Sequence, residues 1–195
     1  MRFDRGTENI YCEDMQTFVT NNVRSFIYGS SVQNQRIEAL WSRLVRYRLR
    51  WWVDLFQTMG MDGIYNAELP LHREIILFCF MPVIQYELNE FLETWNAKHV
   101  RKSAEAPGGK PDILFTFPET AGFERKGIPV SETDIQVMHD VLSISPPTTS
   151  DDDIKELLTL YCLAQNFDFP PRNAEDGLDL FAKLVAILSA EGFNV

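Results

Sequence analysis

The chain contains little cysteine and little histidine, with three residues of each among 195. The cysteines are far apart and lie among apolar neighbours: Cys12, Cys79 and Cys162. This pattern argues against a disulfide framework or a thiolate metal site, and it indicates buried thiols in a reducing compartment. The histidines are scattered, and we expect structural roles for them.

Long hydrophobic segments are also missing. The longest apolar run, residues 75–84, is about half as long as a membrane-spanning helix requires, and Pro82 interrupts it. Residues 1–5 lead directly into polar residues, which differs from the pattern of a signal peptide. We therefore expect no membrane partner and a location in the nucleus or cytoplasm.

The net charge of −10 is unevenly distributed along the chain. Residues 1–60 contain 8 Lys/Arg and 6 Asp/Glu, whereas residues 111–195 contain 5 Lys/Arg and 15 Asp/Glu. A uniformly acidic surface would repel DNA. Because the excess acid lies in the last third, the mildly basic front of the chain remains a candidate for binding DNA.

The basic residues concentrate in GSSVQNQRIEALWSRLVRYRLRWW, residues 29–52, for which we predict one continuous amphipathic helix. At about 100° per residue, one arc of this helix is apolar: Ile37, Leu40, Trp41, Leu44, Val45, Trp51 and Trp52. A separate stripe is basic: Arg36, Arg43, Arg46 and Arg50. The arc predicts that the tryptophans pack in the core. The stripe predicts either contacts with DNA phosphates or a solvated basic face.

Other local patterns predict a strand at residues 1–3, a helix at 12–22, a strand at 23–28 and a long helix at about 71–95. A proline- and glycine-rich boundary follows at residues 107–111. Three helix-start signatures come later, at Ser131, Ser150 and Asn173.

We therefore divide the chain into a first domain, residues 1–115, and an acidic helical region, residues 116–195. The acidic region is compatible with a site for a basic protein partner, with an anionic lid that competes with DNA for the arginines, or with a small soluble helical appendage.

Two carboxylates suggest metal chemistry. Asp4 follows the first predicted strand, and Glu38 lies one or two turns into the basic helix. Carboxylate oxygens brought together by two rigid elements can hold Mg²⁺ or Mn²⁺ with open positions for phosphate and water. The alternative is two solvated surface acids, because pairs of carboxylates are common by chance.

The residues around these carboxylates resemble the integrase core of retroviruses and of related DDE transposons. Residues 4–9, DRGTEN, resemble the turn that follows a strand-end Asp in that family, and residues 34–38, NQRIE, resemble the pattern before its last Glu. Residues 77–96, LFCFMPVIQYELNEFLETWN, look like the integrase-core proteins of animal mobile elements. The resemblance covers about residues 1–115.

This resemblance implies an α/β fold, here a partial RNase H-like core that lacks its first strands and is predominantly helical. It implies that Asp4 and Glu38 are catalytic residues that hold Mg²⁺ or Mn²⁺. It also implies a set of DNA-binding residues: Asn34, Gln35, Arg36, Arg43, Arg46 and Arg50. The family's first catalytic Asp is absent from these 195 residues, so we expect the site to bind metal poorly and to cleave slowly or not at all.

Two functional hypotheses follow. The first is a DNA-integration or transposition protein, a fragment of a Mg²⁺-dependent DDE polynucleotidyl transferase that binds DNA and is inactive or impaired as an enzyme when alone. The second is a non-enzymatic helical interaction protein, derived from a mobile element, whose acidic third binds a basic partner.

Overall fold

The computed structural model describes residues 2–3, 10–29, 35–102, 107–125, 127–142 and 151–195. In these ranges the protein is predominantly helical, as predicted. The chain forms two compact units. Unit 1 comprises Met1–Arg46 and Trp95–Ser145, and unit 2 comprises Tyr47–Thr94 and Pro146–Val195.

Unit 1 begins with two short parallel strands, β1 (Arg2–Phe3) and β2 (Ile27–Tyr28), joined by helix α1 (Ile10–Thr20). Parallel strands need such a crossover because they run in the same direction. Helix α1 ends at Thr20, and the next residue, Asn21, has a φ of 46°, which lies in the left-handed region. The strand predicted at residues 23–28 is shorter than expected, because the residues before Ile27 form turns.

The rest of unit 1 contains helices α2 (Gln35–Leu44), α5 (Pro111–Thr116) and α6 (Glu132–Leu142), and α6 contacts α1. The start of α6 confirms the predicted cap. The Ser131 hydroxyl accepts a hydrogen bond from the Asp134 backbone N–H (3.0 Å) and donates one to the Asp134 carboxylate (2.6 Å). This reciprocal pair satisfies a backbone donor that the first helical turn leaves unpaired.

Unit 2 is built from α3 (Arg50–Met61), most of α4 (Pro70–Ala97), α7 (Asp152–Ala164) and α8 (Ala174–Ala190). Helix α4 agrees with the long helix predicted from its apolar periodicity and continues through Pro82.

The predicted cap of α8 is also confirmed, since the Asn173 side chain accepts from the Asp176 backbone N–H at 2.9 Å. For α7 the cap is Asp151, whose carboxylate accepts from the N–H groups of Asp153 and Ile154. The predicted cap, Ser150, lies outside the described residues.

The core of unit 2 combines all four helices. Phe80 of α4 lies 5.9 Å from Trp52 and 5.2 Å from Phe56 between ring centroids, and both of these rings come from α3. Helix α8 packs so closely on α4 that a Cβ atom placed on Gly177 would lie 2.9 Å from a ring carbon of Phe80. The buried residues of α7 and α8 complete the core: Leu158, Cys162, Leu180, Phe181, Leu184 and Leu188.

Residues 151–195 therefore fold together with α3 and α4 rather than as a separate appendage. Unit 2 combines segments from both sides of the boundary that we placed between residues 115 and 116. The division into domains at that boundary stays a prediction.

The predicted burial of thiols is confirmed for two cysteines. Cys79 and Cys162 are buried in the core of unit 2, whereas Cys12 is half-buried, and all three are free thiols. Burial raises the pKa of both core thiols, and the charge of Cys162 raises the pKa of Cys79 further. Both thiols are therefore protonated and chemically inert at neutral pH.

By length and composition alone, α4 is a helix that could cross a membrane. This is weak evidence, because the core helix of a soluble protein passes the same test, and seven residues of α4 are buried in the described structure. The expected absence of a membrane partner stays a prediction.

His72 is a buried polar residue in the core of unit 2. Its Nδ1 accepts a hydrogen bond from the Asn66 backbone N–H (3.1 Å), and its ring lies against Tyr65 and Phe181. Its Nε2 is buried and has no hydrogen-bond partner in the described part of the chain. Burial lowers the pKa of His72 below its ordinary value of 6.5.

We expect acid to destabilise unit 2 through His72. Below about pH 6.5 the unfolded chain binds a proton at this histidine that the folded chain does not bind. The free energy of unfolding therefore decreases as the pH is lowered, until the pH is below the pKa of His72 in the folded state. Urea unfolding of the His72→Gln variant should show a weaker pH dependence between pH 7 and pH 5. The exposed His139→Gln variant is the matched control and should keep the wild-type dependence. Equal slopes for wild type and His72→Gln would contradict this role.

Candidate nucleic-acid interface

The predicted metal site is only partly described. Glu38 lies in the first turn of α2, and its side chain is exposed. Asp4 lies outside the described residues. Within the described ranges, no group of three His, Cys, Asp or Glu side chains could hold a metal ion.

Two predicted DNA-binding residues, Gln35 and Arg36, lie at the start of the same helix. Asn34 is outside the described residues, and Gln35 is the first residue of α2, followed by Arg36. The structure places the backbone of these two in the helix, so the helical part of the prediction is confirmed for Gln35 and Arg36. Their contacts with DNA stay a prediction.

Arg43 and Arg46 are exposed and belong to unit 1. The guanidinium carbon of Arg43 lies 5.1 Å from the centroid of the Trp95 ring, a distance typical of a cation–π contact. This contact limits the positions of the Arg43 side chain while leaving it accessible to solvent. Arg46 extends from the helical turn that follows α2.

That turn has π-helical geometry from Val45 to Leu49 and leads directly into α3. The helix predicted for residues 29–52 is thus continuous from Gln35, but it is not regular. In a π turn each N–H bonds to the carbonyl five residues back, so the side chains fall out of phase with an α-helix. A wheel drawn at a constant angle therefore misplaces the residues beyond Val45.

Two further arginines follow in unit 2. Arg50 is exposed, and its Nε lies 3.2 Å from a carboxylate oxygen of Asp54, one turn further along α3. Arg48 is also exposed, but the regular wheel left it out of the predicted stripe. Its position in an arginine-rich stretch was the signal that could have identified it.

The predicted burial of the tryptophans is correct only for Trp52. Trp52 is 3% exposed, and its indole N–H donates to the Glu87 carboxylate at 2.9 Å. Trp41 is 53% exposed and Trp51 is 55% exposed, so the prediction was wrong for both. An apolar arc buries a side chain only where another element covers it.

Trp41 belongs to an exposed apolar face of α2. Ile37 and Val45, one turn before and one turn after Trp41, are also exposed, whereas Leu44 is buried and Leu40 is half-buried. The arc predicted from the sequence is therefore real as a pattern, but in unit 1 only its two leucines are covered.

A family model described as an integrase core domain matches residues 1–116. No curated protein and no solved structure gave a match. The matched span includes Glu38, the π turn and the four arginines from Arg43 to Arg50.

Proposed function

The chain belongs to the integrase core family, and we propose from this that it acts in DNA integration or transposition by binding DNA through the arginines that follow Glu38. Family membership implies an RNase H-like fold for the matched part. The observation that carries the DNA-binding proposal is the exposure of four described arginines within eight residues of the matched span: Arg43, Arg46, Arg48 and Arg50.

Electrostatics supports this proposal despite the net charge of −10. Arginine binds phosphate with planar, bidentate hydrogen bonds, and neutralising phosphates releases counterions. The partners that these arginines have in the protein are weak competitors. Arg50 and Asp54 form an exposed ion pair, which is typically worth about 1 kcal/mol or less, so the pair can be exchanged for a phosphate at little cost.

Reversal of two charges tests the proposal. We expect Arg43→Glu combined with Arg46→Glu to weaken duplex DNA binding by on the order of tenfold or more at moderate salt, because two phosphate contacts become repulsions. Fluorescence anisotropy with a labelled duplex measures the affinity.

A double variant with the same charge change, Arg73→Glu with Arg172→Glu, is the matched control. Both of its residues are exposed and lie outside the arginine-rich stretch. It should bind DNA nearly as well as the wild type. If both double variants lose affinity equally, the effect comes from net charge and the proposed interface is wrong.

A metal function for Asp4 and Glu38 is the second part of the proposal. Their carboxylates would hold Mg²⁺ or Mn²⁺, which would supply charge stabilisation for phosphodiester chemistry. Calorimetric titration with Mn²⁺ should give weaker binding for Asp4→Asn than for wild type, whereas Asp14→Asn should bind as wild type does. Identical isotherms for Asp4→Asn and wild type would show that Asp4 does not bind the metal ion and would contradict the proposed site.

Two further expectations stay predictions. They are a location in the nucleus or cytoplasm, and a basic protein partner for the acidic C-terminal part.

A further inference from the structure

Trp51 is an exposed aromatic ring held in place by a buried one. Its ring centroid lies 5.0 Å from that of Trp52, with the two planes at 86°. Trp52 is itself fixed, because it is buried and its indole N–H donates to Glu87. Trp51 is therefore restrained by its contact with Trp52 while about half of its surface is open to solvent.

The residues around Trp51 in unit 2 are aromatic or basic on the side toward the π turn. Tyr47 and Arg48 precede Trp51 by about one helical turn, and Tyr47 is 70% exposed. Residues three and four positions apart are neighbours on a helix surface, so Tyr47 and Arg48 are the neighbours of Trp51 on this side. Arg50 is adjacent to Trp51 in the sequence and forms an exposed ion pair with Asp54.

Exposed aromatic rings interleaved with arginines are the combination by which proteins bind single-stranded nucleic acid. Unpaired bases stack on the rings, and the arginines contact the phosphates between them. Duplex DNA offers no free base faces, so its binding gains little from Trp51. The aromatic rings contact bases and the arginines contact phosphates, so substitutions can remove one kind of contact and leave the other.

We propose that Trp51, with Tyr47, forms a stacking platform for unpaired bases of single-stranded DNA, such as those at a frayed or overhanging end, and that Arg48 and Arg50 bind the flanking phosphates. This inference rests on the proposed function and specifies the form of DNA that the surface prefers. Charge complementarity selects nucleic acid over an apolar protein surface as the occupant.

The test compares the binding of the full-length protein to three labelled probes of equal length: a single strand, a blunt duplex and a duplex with a single-stranded overhang. Wild type should bind the single strand and the overhang more tightly than the blunt duplex. Trp51→Leu should weaken binding to the first two by about tenfold, which is within the range for loss of one stacked base. Its affinity for the blunt duplex should stay within about twofold of wild type.

Two further variants give the controls. The Trp41→Leu variant lacks a tryptophan that is as exposed as Trp51. Glu38 precedes Trp41 by three residues, whereas Arg48 precedes Trp51 by three residues. The Trp41→Leu variant should bind all three probes as wild type does. Trp51→Phe keeps a ring and should retain most of the preference for single strands. Thermal unfolding followed by circular dichroism checks that each variant is folded.

The outcomes separate this inference from the proposed function. If the arginine double variant loses duplex binding but Trp51→Leu binds every probe as wild type does, the platform is wrong and the proposed function stands. If wild type binds none of the probes, both are wrong. If Trp51→Leu instead converts a dimer to a monomer in light scattering, without a change in DNA affinity, the occupant is a second copy of the chain and the platform is wrong.

Discussion

A chain that ends at Ser145 is expected to lose the folded core of unit 2. This truncation removes α7 and α8, which cover Phe78 and Phe80 of α4 together with the neighbouring core residues. Each large apolar side chain returned to water costs about 1.5 to 3 kcal/mol, whereas a whole domain is stable by about 5 to 15 kcal/mol. Exposure of several such side chains exceeds what the remaining contacts of α3 and α4 can offset.

Hydrogen exchange measures this effect directly. The backbone amides of α4 should be protected in the full-length chain and should exchange rapidly in residues 1–145. Addition of residues 146–195 as a separate peptide should restore part of the protection, because the peptide supplies the missing half of the core. If the truncated chain keeps full protection of α4, the C-terminal part is an appendage after all.

The substitution Phe80→Ala should have the next largest effect. Phe80 is fully buried and contacts Trp52, Phe56 and Gly177, so its removal leaves a cavity between α3, α4 and α8. Substitutions of this kind cost about 3 to 5 kcal/mol, the sum of lost transfer free energy and the cavity term. Urea unfolding followed by circular dichroism measures the loss.

Phe115→Ala is the matched control, because Phe115 is 91% exposed. It should change the free energy of unfolding by no more than about 0.5 kcal/mol, as is usual for surface substitutions. A loss for Phe80→Ala as small as that of Phe115→Ala would show that α8 does not pack on α4 as described.

Much of the helical structure follows from local sequence. Helix α4 has apolar residues at intervals of three and four, and Ser131 and Asn173 place polar oxygens where helices begin. Such signals are local, because they depend on backbone groups within one turn. These signals locate a helix start only to within about one residue. For α7 the predicted cap was Ser150 and the observed cap is the adjacent Asp151, because both residue types can act as caps.

The arrangement of the helices could not be predicted in the same way. The close approach of Gly177 to Phe80 joins residues almost one hundred positions apart, and no periodicity specifies such a pairing. The π turn at Val45–Leu49 also escaped prediction, because a wheel assumes one angle for every residue. The exposure of Trp41 and Trp51 escaped prediction as well, because burial depends on a covering element that a helical wheel does not specify.

The candidate site was predicted in part. The basic stripe identified Arg43, Arg46 and Arg50 but missed Arg48. The family was identified from short motifs, and the match over residues 1–116 confirms it. Contact with DNA stays a proposal. The pairing of Asp4 with Glu38 also stays a proposal, because Asp4 lies outside the described residues.

The most direct test of the account is the salt dependence of duplex DNA binding. Each phosphate neutralised by an arginine contributes about −0.9 to the slope of log K against log salt concentration. We predict a steep negative slope for wild type, and a slope about two units shallower for the protein with Arg43→Glu and Arg46→Glu. Equal slopes for the two proteins would show that these arginines do not contact DNA phosphates.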